Sequence, residues 1–201
     1  ALLAAPSLPY VTLGPDPGKP DASNSVASDD ADATLQALTH LADEGARSIA
    51  FVGGQDDNSW NADAEDAYRD WCARTGQPER MFRLGEGRGE DGGRELVPSL
   101  IADGVPDAIY SLTGRHAAGI QDGMRERGLE APDDYLLACG TDADQTRTAH
   151  PPITAINLRP ELLARDTVGL LASITRGEKP EGRGLVRSEL IVRRSSQRDA
   201  G

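Results

Sequence analysis

Short apolar runs alternate with longer amphipathic segments along most of the chain. The apolar runs have the length of β-strands, and they predict strands at 10–13, 48–52, 81–84, 108–112, 135–139 and 154–158. A last run, 185–192, alternates between apolar and polar residues, so it predicts a single strand with one face in solvent.

Between these runs, apolar residues recur at helical spacing, as Leu35, Leu38 and Leu41 do. The predicted helices are 32–44, 62–75, 94–103, 116–127 and 160–176. A glycine follows each of them directly, and glycine is the usual residue at the C-terminal cap of a helix. Helices that alternate with strands are typical of parallel sheets covered on both faces, so the sequence predicts an α/β fold.

The composition excludes several classes of protein. The 201 residues are 38% hydrophobic and carry 21 lysines and arginines against 33 aspartates and glutamates, a net charge of −12. This apolar content argues against a wholly disordered chain, and no apolar run approaches the roughly 18 residues of a membrane span, so we expect no membrane contact. The acidic balance argues against binding of DNA phosphates by this chain alone, because such binding needs clustered lysine and arginine.

Motifs for catalysis, metals or cofactors are weak or missing. Residues 87–92 fit the G-x-G-x-x-G pattern of nucleotide-binding loops, yet Glu90 and Asp91 would face the phosphate charge, so we interpret the segment as a flexible loop. The three histidines and two cysteines show no metal-ligand spacing, and no G-x-S-x-G nucleophile motif occurs. We therefore expect no metal, no cofactor and no enzymatic activity.

Polar side chains follow the predicted strands at the ends where open α/β sheets bind ligands. The candidate ligand-binding residues are Asp29, Asn58, Trp60, Asn61, Thr113, Arg115 and Asp142. Taken singly, several of them have the ordinary alternative role of capping a helix. As a set they favour a small polyhydroxylated ligand, because sugar hydroxyls need paired donors and acceptors and a sugar face stacks on an aromatic ring.

A series of short motifs runs through nearly the whole chain in a fixed order. They are 9–13 (PYVTL), 26–30 (VASDD), 47–54 (RSIAFVGG), 106–110 (PDAIY), 117–120 (AAGI), 132–134 (PDD), 151–156 (PPITAI) and 190–196 (LIVRRSS). In this order and spacing, from about Pro9 to Ser196, the chain resembles the effector-binding core of the LacI/GalR family of transcriptional regulators, which has a periplasmic-binding-protein-like fold.

The resemblance implies two lobes joined by crossing strands, with a small sugar-like effector bound between them. Matching positions make Asp29 a contact near the hinge. They add the segments 58–61 and 113–115, and also Asp142, which would accept hydrogen bonds from sugar hydroxyls. The resemblance further implies a cytoplasmic homodimer, whose interface would involve 116–127 and the segment after Asp142.

By the same resemblance, 1–32 with 153–182 form a remnant of the N-terminal lobe, and 33–152 with 183–197 form a complete C-terminal lobe. Family members begin with a helix-turn-helix and the first part of the N-terminal lobe. We therefore expect a fragment of a longer regulator, in which only the missing N-terminal domain would bind operator DNA.

Two departures leave the identity of the ligand open. Asn61 and Ala62 stand where many family members have an arginine, and Thr113 and Gly114 stand where an acidic pair is common. A solute-binding receptor of a sugar transport system, with the same fold, is the alternative function. An α/β enzyme would need a catalytic constellation that the sequence does not show.

Overall fold

The computed structural model describes residues 9–14, 24–179 and 184–198. The strands are β1 (Thr12–Leu13), β2 (Ser25–Ser28), β3 (Ile49–Gly54), β4 (Arg80–Leu84), β5 (Ala108–Ser111), β6 (Leu136–Cys139), β7 (Thr154–Asn157), β8 (Gly184–Val186) and β9 (Glu189–Ile191). The helices are α1 (Asp30–Asp43), α2 (Ser59–Thr75), α3 (Gly89–Leu100), α4 (Gly114–Arg125), α5 (Asp144–Thr148) and α6 (Pro160–Thr175), and short 3-10 turns span Glu86–Arg88 and Arg194–Ser196. The predicted α/β class, with parallel sheets flanked by helices, is confirmed.

Contacts between Cα atoms divide the chain into two compact units. The small unit consists of 1–29 and 158–188, and the large unit consists of 30–157 and 189–201. Each unit has its own sheet. The lobe assignment made from the resemblance stays a prediction.

Within the described residues, the large unit has a six-stranded sheet in the order β4-β3-β5-β6-β7-β9. All neighbouring strands are parallel except the last pair, in which β9 runs antiparallel to β7. Every residue of β3, β5 and β6 is buried. Parallel strands are buried along their whole length because helices cover both faces of the sheet.

The core of the large unit lies on both sides of this sheet. On one side, Ile120 and Met124 of α4 join Ile109 in a buried apolar cluster. Side chains alternate along a strand, so Phe51 points to the other side, where it stacks on Tyr68 of α2 with ring centroids 5.0 Å apart. Each fully buried apolar side chain of this kind contributes about 1.5–3 kcal/mol.

Helices α3 and α4 pack unusually closely, because glycines stand where they meet. A Cβ added at Gly119 would overlap the backbone carbonyl of Glu90, and one added at Gly93 would overlap that of His116. The G-x-G-x-x-G segment belongs to this contact. The interpretation of that segment as a flexible loop is wrong, since α3 begins at Gly89 and Gly92 is buried inside its first turns.

The small unit has a parallel sheet in the order β1-β2-β8, and α6 contacts β2 and β8. Val26 and Val186 are buried there. The described residues of this unit nevertheless leave large apolar side chains in solvent: Leu13 is 70% exposed, Leu185 59% and Val168 67%. All of α6 is described, and none of its residues is buried.

The prediction of one strand over 185–192 is wrong. The structure has two short strands there, and β8 pairs with β2 whereas β9 pairs with β7 of the other sheet. The chain changes sheets at Arg187 and Ser188, which lie between them. An alternating pattern shows which face of a strand is exposed to solvent, but it does not show which neighbouring strand it pairs with.

Candidate functional site

The loops after β3, β5 and β6 meet at one edge of the large sheet, because these three parallel strands are neighbours and end on the same side. Backbone hydrogen bonds join the ends: Leu112 N–H donates to the Val52 carbonyl at 2.8 Å, and Gly140 N–H donates to Ser111 at 3.0 Å. The hydroxyl of Thr141 accepts from Gly114 N–H at 2.8 Å. Six of the seven predicted ligand contacts follow these three strands.

The loop after β3 is held by two asparagines. Asn58 caps α2, and its side-chain oxygen accepts from Asn61 N–H at 2.8 Å. Asn61 is only 4% exposed and donates its amide to the Asp56 carbonyl at 2.8 Å. Its side-chain oxygen has no hydrogen-bond partner among the described residues. Both asparagines therefore shape the loop, and a Cβ at Gly54 would overlap the Asn61 amide.

Trp60 is the second residue of α2 and is half-buried. An indole in this position has an apolar ring for stacking and an N–H donor. Trp71, in the same helix, is 5% exposed and belongs to the core. The two tryptophans thus differ in their access to a ligand.

The loop after β5 leads directly into α4. Thr113 is the N-cap, and its hydroxyl accepts from His116 N–H at 3.4 Å. Arg115 is exposed, and its guanidinium donates to the Glu86 carbonyl at 3.4 Å, which connects this loop to the one after β4. Arg115 is therefore the predicted contact that presents a full positive charge at this edge.

Asp142, in the loop after β6, carries two ion pairs. Its side chain is 7% exposed and lies 2.8 Å from Arg193 Nη2 and 2.9 Å from Arg147 Nη2. The hydroxyl of Thr146 lies 3.1 Å from Asp142 and 2.7 Å from the Ala143 carbonyl, so its one hydrogen is shared between these two acceptors. Burial raises the pKa of Asp142, but the hydrogen bonds from Arg147 and Arg193 outweigh it and hold the pKa below its ordinary value.

Asp29 belongs to the small unit. It is half-buried, and its backbone N–H donates to the Val186 carbonyl at 3.4 Å. The other six predicted contacts all belong to the large unit.

No cluster of three or more His, Cys, Asp or Glu side chains with metal-binding geometry occurs in the described part of the chain. None of the helices in that part combines the length and apolar character that crossing a membrane requires.

A sequence model of the periplasmic binding protein-like domain matches residues 38–196. The chain belongs to this family. The match covers the whole series of loops described above, from the one after β3 to the one after β6.

Curated relatives of this periplasmic binding protein-like domain are transcriptional regulators. The HTH-type transcriptional repressor MelR of Bacillus subtilis is 26% identical over 197 residues, which cover 92% of this chain and 56% of MelR. The HTH-type transcriptional regulator CelR of Thermobifida fusca is 26% identical over 198 residues, which cover 96% of this chain and 58% of CelR. The chain thus spans between half and two thirds of the length of these relatives, and the resemblance to LacI/GalR regulators is confirmed.

Solved structures show the same fold. The lac repressor dimer bound to operator and the anti-inducer ONPF matches with a TM-score of 0.85 and 21% identity, over 95% of this chain and 66% of the repressor chain. A complex of the regulator CelR with cellobiose matches with a TM-score of 0.83 and 24% identity, over 93% of this chain and 58% of the CelR chain. The fold is therefore that of the effector-binding domains of LacI-type regulators.

Sequence reasoning missed the role of two arginines in this domain. Arg147 and Arg193 both donate hydrogen bonds to the Asp142 carboxylate. In the sequence analysis, this carboxylate was treated as free to accept hydrogen bonds from a ligand. The one available signal was that Arg193 directly follows three apolar residues, 190–192, where an arginine needs an acidic partner. Nothing in the sequence indicated that the partner is Asp142.

Proposed function

We propose that this chain is the effector-sensing domain of a LacI-type transcriptional regulator and that it binds a small sugar-like ligand. The observation that supports this most is the convergence of the loops after β3, β5 and β6 at one edge of the sheet in a chain whose relatives are regulators. In open α/β sheets this edge is where ligands bind.

The chemistry of the edge suits a neutral ligand with several hydroxyls. Asp142 is neutralised by two arginines, so it does not add a net negative charge. The half-buried indole of Trp60 offers an apolar face for a sugar ring. Arg115 and the hydroxyls of Thr113 and Thr141 add donors and acceptors nearby.

Two disaccharides are the first candidates. CelR, a relative, has been solved with cellobiose, and a LacI-family regulator from Arthrobacter has been solved with lactose. The second of these matches this chain with a TM-score of 0.81 and 18% identity. We choose cellobiose and lactose, with glucose and galactose, as the panel of probes.

In the parent regulator, the ligand would be held between two lobes, and its different affinities for two lobe arrangements would change DNA binding through linkage. Operator DNA would be bound by another part of that protein, in the cytoplasm. A homodimer would form through α4 and the segment after Asp142. Sedimentation of this chain at micromolar concentration tests the dimer, and a monomer at every concentration would count against it.

A solute receptor of a sugar transport system is the alternative, and the relatives do not favour it. Both curated relatives described above are transcriptional regulators. We expect no catalytic turnover of the sugars in the panel.

Tryptophan fluorescence tests the ligand proposal. We expect a saturable change in emission with at least one sugar of the panel at concentrations up to about 10 mM, which detects Kd values to roughly 1 mM. Trp71→Phe should keep this response, because Trp60 remains at the edge of the sheet. Trp60→Phe should lose it.

Calorimetric titration of Trp60→Phe separates a lost signal from lost binding, since it does not depend on the indole. If no sugar of the panel binds to the unaltered chain by either method, the carbohydrate proposal is wrong.

A further inference from the structure

The Oδ2 oxygen of Asp142 has no acceptor position left for a ligand. The Oδ1 oxygen accepts from Arg193 Nη2 at 2.8 Å, and it shares the single hydroxyl hydrogen of Thr146, 3.1 Å away, with the Ala143 carbonyl. The Oδ2 oxygen accepts from two nitrogens of Arg147, Nε at 3.1 Å and Nη2 at 2.9 Å. Each carboxylate oxygen has about two acceptor sites, so Arg147 alone fills Oδ2.

The two arginines are held very differently. The Arg193 side chain is 16% exposed and also donates to the Ile153 carbonyl at 2.7 Å, inside the large unit. The Arg147 side chain is 54% exposed and also reaches Asp144, whose side chain is 92% exposed. Because the Arg147 guanidinium is open to water and to salt ions whereas that of Arg193 is not, Arg147 is the partner that a ligand can displace.

We propose that Arg147 is a positioning residue that competes with the sugar for Asp142, an inference that rests on the proposed function. We call the two contacts from Arg147 to Asp142 Oδ2 the Arg147 clamp. A sugar hydroxyl reaches Oδ2 only after the clamp opens, whereas Arg193 stays in place and keeps the carboxylate oriented.

Opening the clamp also removes one of the contacts that hold α5, a helix of only five residues, while the buried Thr146 keeps its own. Gln145 and Thr148 of α5 line a surface pocket of about 330 Å³ together with Gln121 and Arg125 of α4. We therefore expect ligand binding at the sheet edge to change the surface that α4 and α5 share.

The Arg147→Leu variant tests the clamp. Without the competing guanidinium, sugars of the panel should bind about 1.5- to 5-fold more tightly, the range that an exposed ion pair accounts for. Affinity of the unaltered chain should rise with NaCl, since salt weakens the clamp, and this rise should vanish in Arg147→Leu. Arg147→Lys should restore part of the salt dependence, because it keeps the charge but not the fork of donors.

Asp144→Asn is the matched control. It removes the exposed partner of Arg147 and leaves both contacts to Asp142, so affinity and its salt dependence should stay as in the unaltered chain. Weaker sugar binding by Arg147→Leu would overturn the proposal, because Arg147 would then contact the ligand itself.

A measurement without ligand keeps the clamp separate from the carbohydrate proposal. By NMR, the amides of α5 should exchange faster with solvent in Arg147→Leu, and the pKa of the Asp142 carboxyl should rise. Unchanged exchange and an unchanged pKa would overturn the clamp. Failure of every sugar to bind, with α5 loosened by the variant, would instead overturn the proposed function.

Discussion

The imidazole of His116 is 1% exposed at the start of α4. Neither ring nitrogen has a hydrogen-bond partner among the residues described by the structure. Burial lowers the pKa of His116 and the neighbouring charge of Arg115 lowers it further, and together they outweigh the Gly85 backbone, which acts in the opposite direction. The neutral form is therefore the one that fits the folded chain.

Stability should fall as pH decreases through about 6.5, the ordinary pKa of histidine, because the unfolded chain then binds a proton that folded His116 does not. The slope from this one group is at most about 1.4 kcal/mol per pH unit. Urea unfolding between pH 7.5 and 5 measures it. Asp142 and Glu65, whose pKa values are lowered, affect stability only at more acidic pH, below their ordinary values.

Replacing His116 by leucine should flatten this part of the pH profile. Replacing the exposed His150 by glutamine should leave the profile as it is. An unaltered slope in His116→Leu would show that His116 is not the group responsible.

The sequence was enough to place Asp142 in the loop after a strand, but it did not show that two arginines already pair with its carboxylate. Arg193 lies 51 residues away along the chain, and only the pairing of β9 with β7 brings it close. Likewise, Asn61 was treated in the sequence analysis as free to bind a ligand, whereas its side-chain amide donates to the Asp56 carbonyl. Residue types and loop positions were predictable, but the partners of each group depend on contacts between distant segments.

At the scale of the elements, the contact between α3 and α4 depends on small residues. Gly119 of α4 lies directly against the Glu90 carbonyl of α3. In the middle of a helix, replacing glycine by alanine ordinarily stabilises by about 0.5–1 kcal/mol. Here the added methyl group would push the two helices apart.

We expect Gly119→Ala to lower the free energy of unfolding by about 1–3 kcal/mol, the usual cost of overpacking. Gly87→Ala is the control, because a Cβ there would meet no described atom within 4 Å. It should change stability by less than about 0.5 kcal/mol. Urea unfolding measures the free energy of unfolding of both variants. A Gly119→Ala chain as stable as the unaltered one would contradict the close packing of α3 and α4.

The alternation of strands and helices was predictable because each long element carries its own periodic pattern and a glycine at its end. Two elements lack that signal and were not predicted: α5 has only five residues, and β2 has serines at both of its ends instead of a continuous apolar run. The break between β8 and β9 was also missed, since both halves continue one alternating pattern.

At the scale of the whole molecule, the two units differ in how completely they bury their apolar residues. The large sheet has helices on both faces and three fully buried strands. In the small unit, Leu13, Leu185 and Val168 remain mostly exposed. The proposed ligand contacts other than Asp29 all lie in the large unit. We therefore expect the effects of ligand binding to be observed mainly in residues of the large unit.

The most direct test is a titration of the isotopically labelled chain with the sugars of the panel, followed by amide chemical shifts in NMR. We expect saturable shifts at the sheet edge, concentrated in residues 55–61, 113–115 and 140–147. Saturable shifts confined to other surfaces, such as the outer faces of α1 and α2, would contradict a ligand site at this edge.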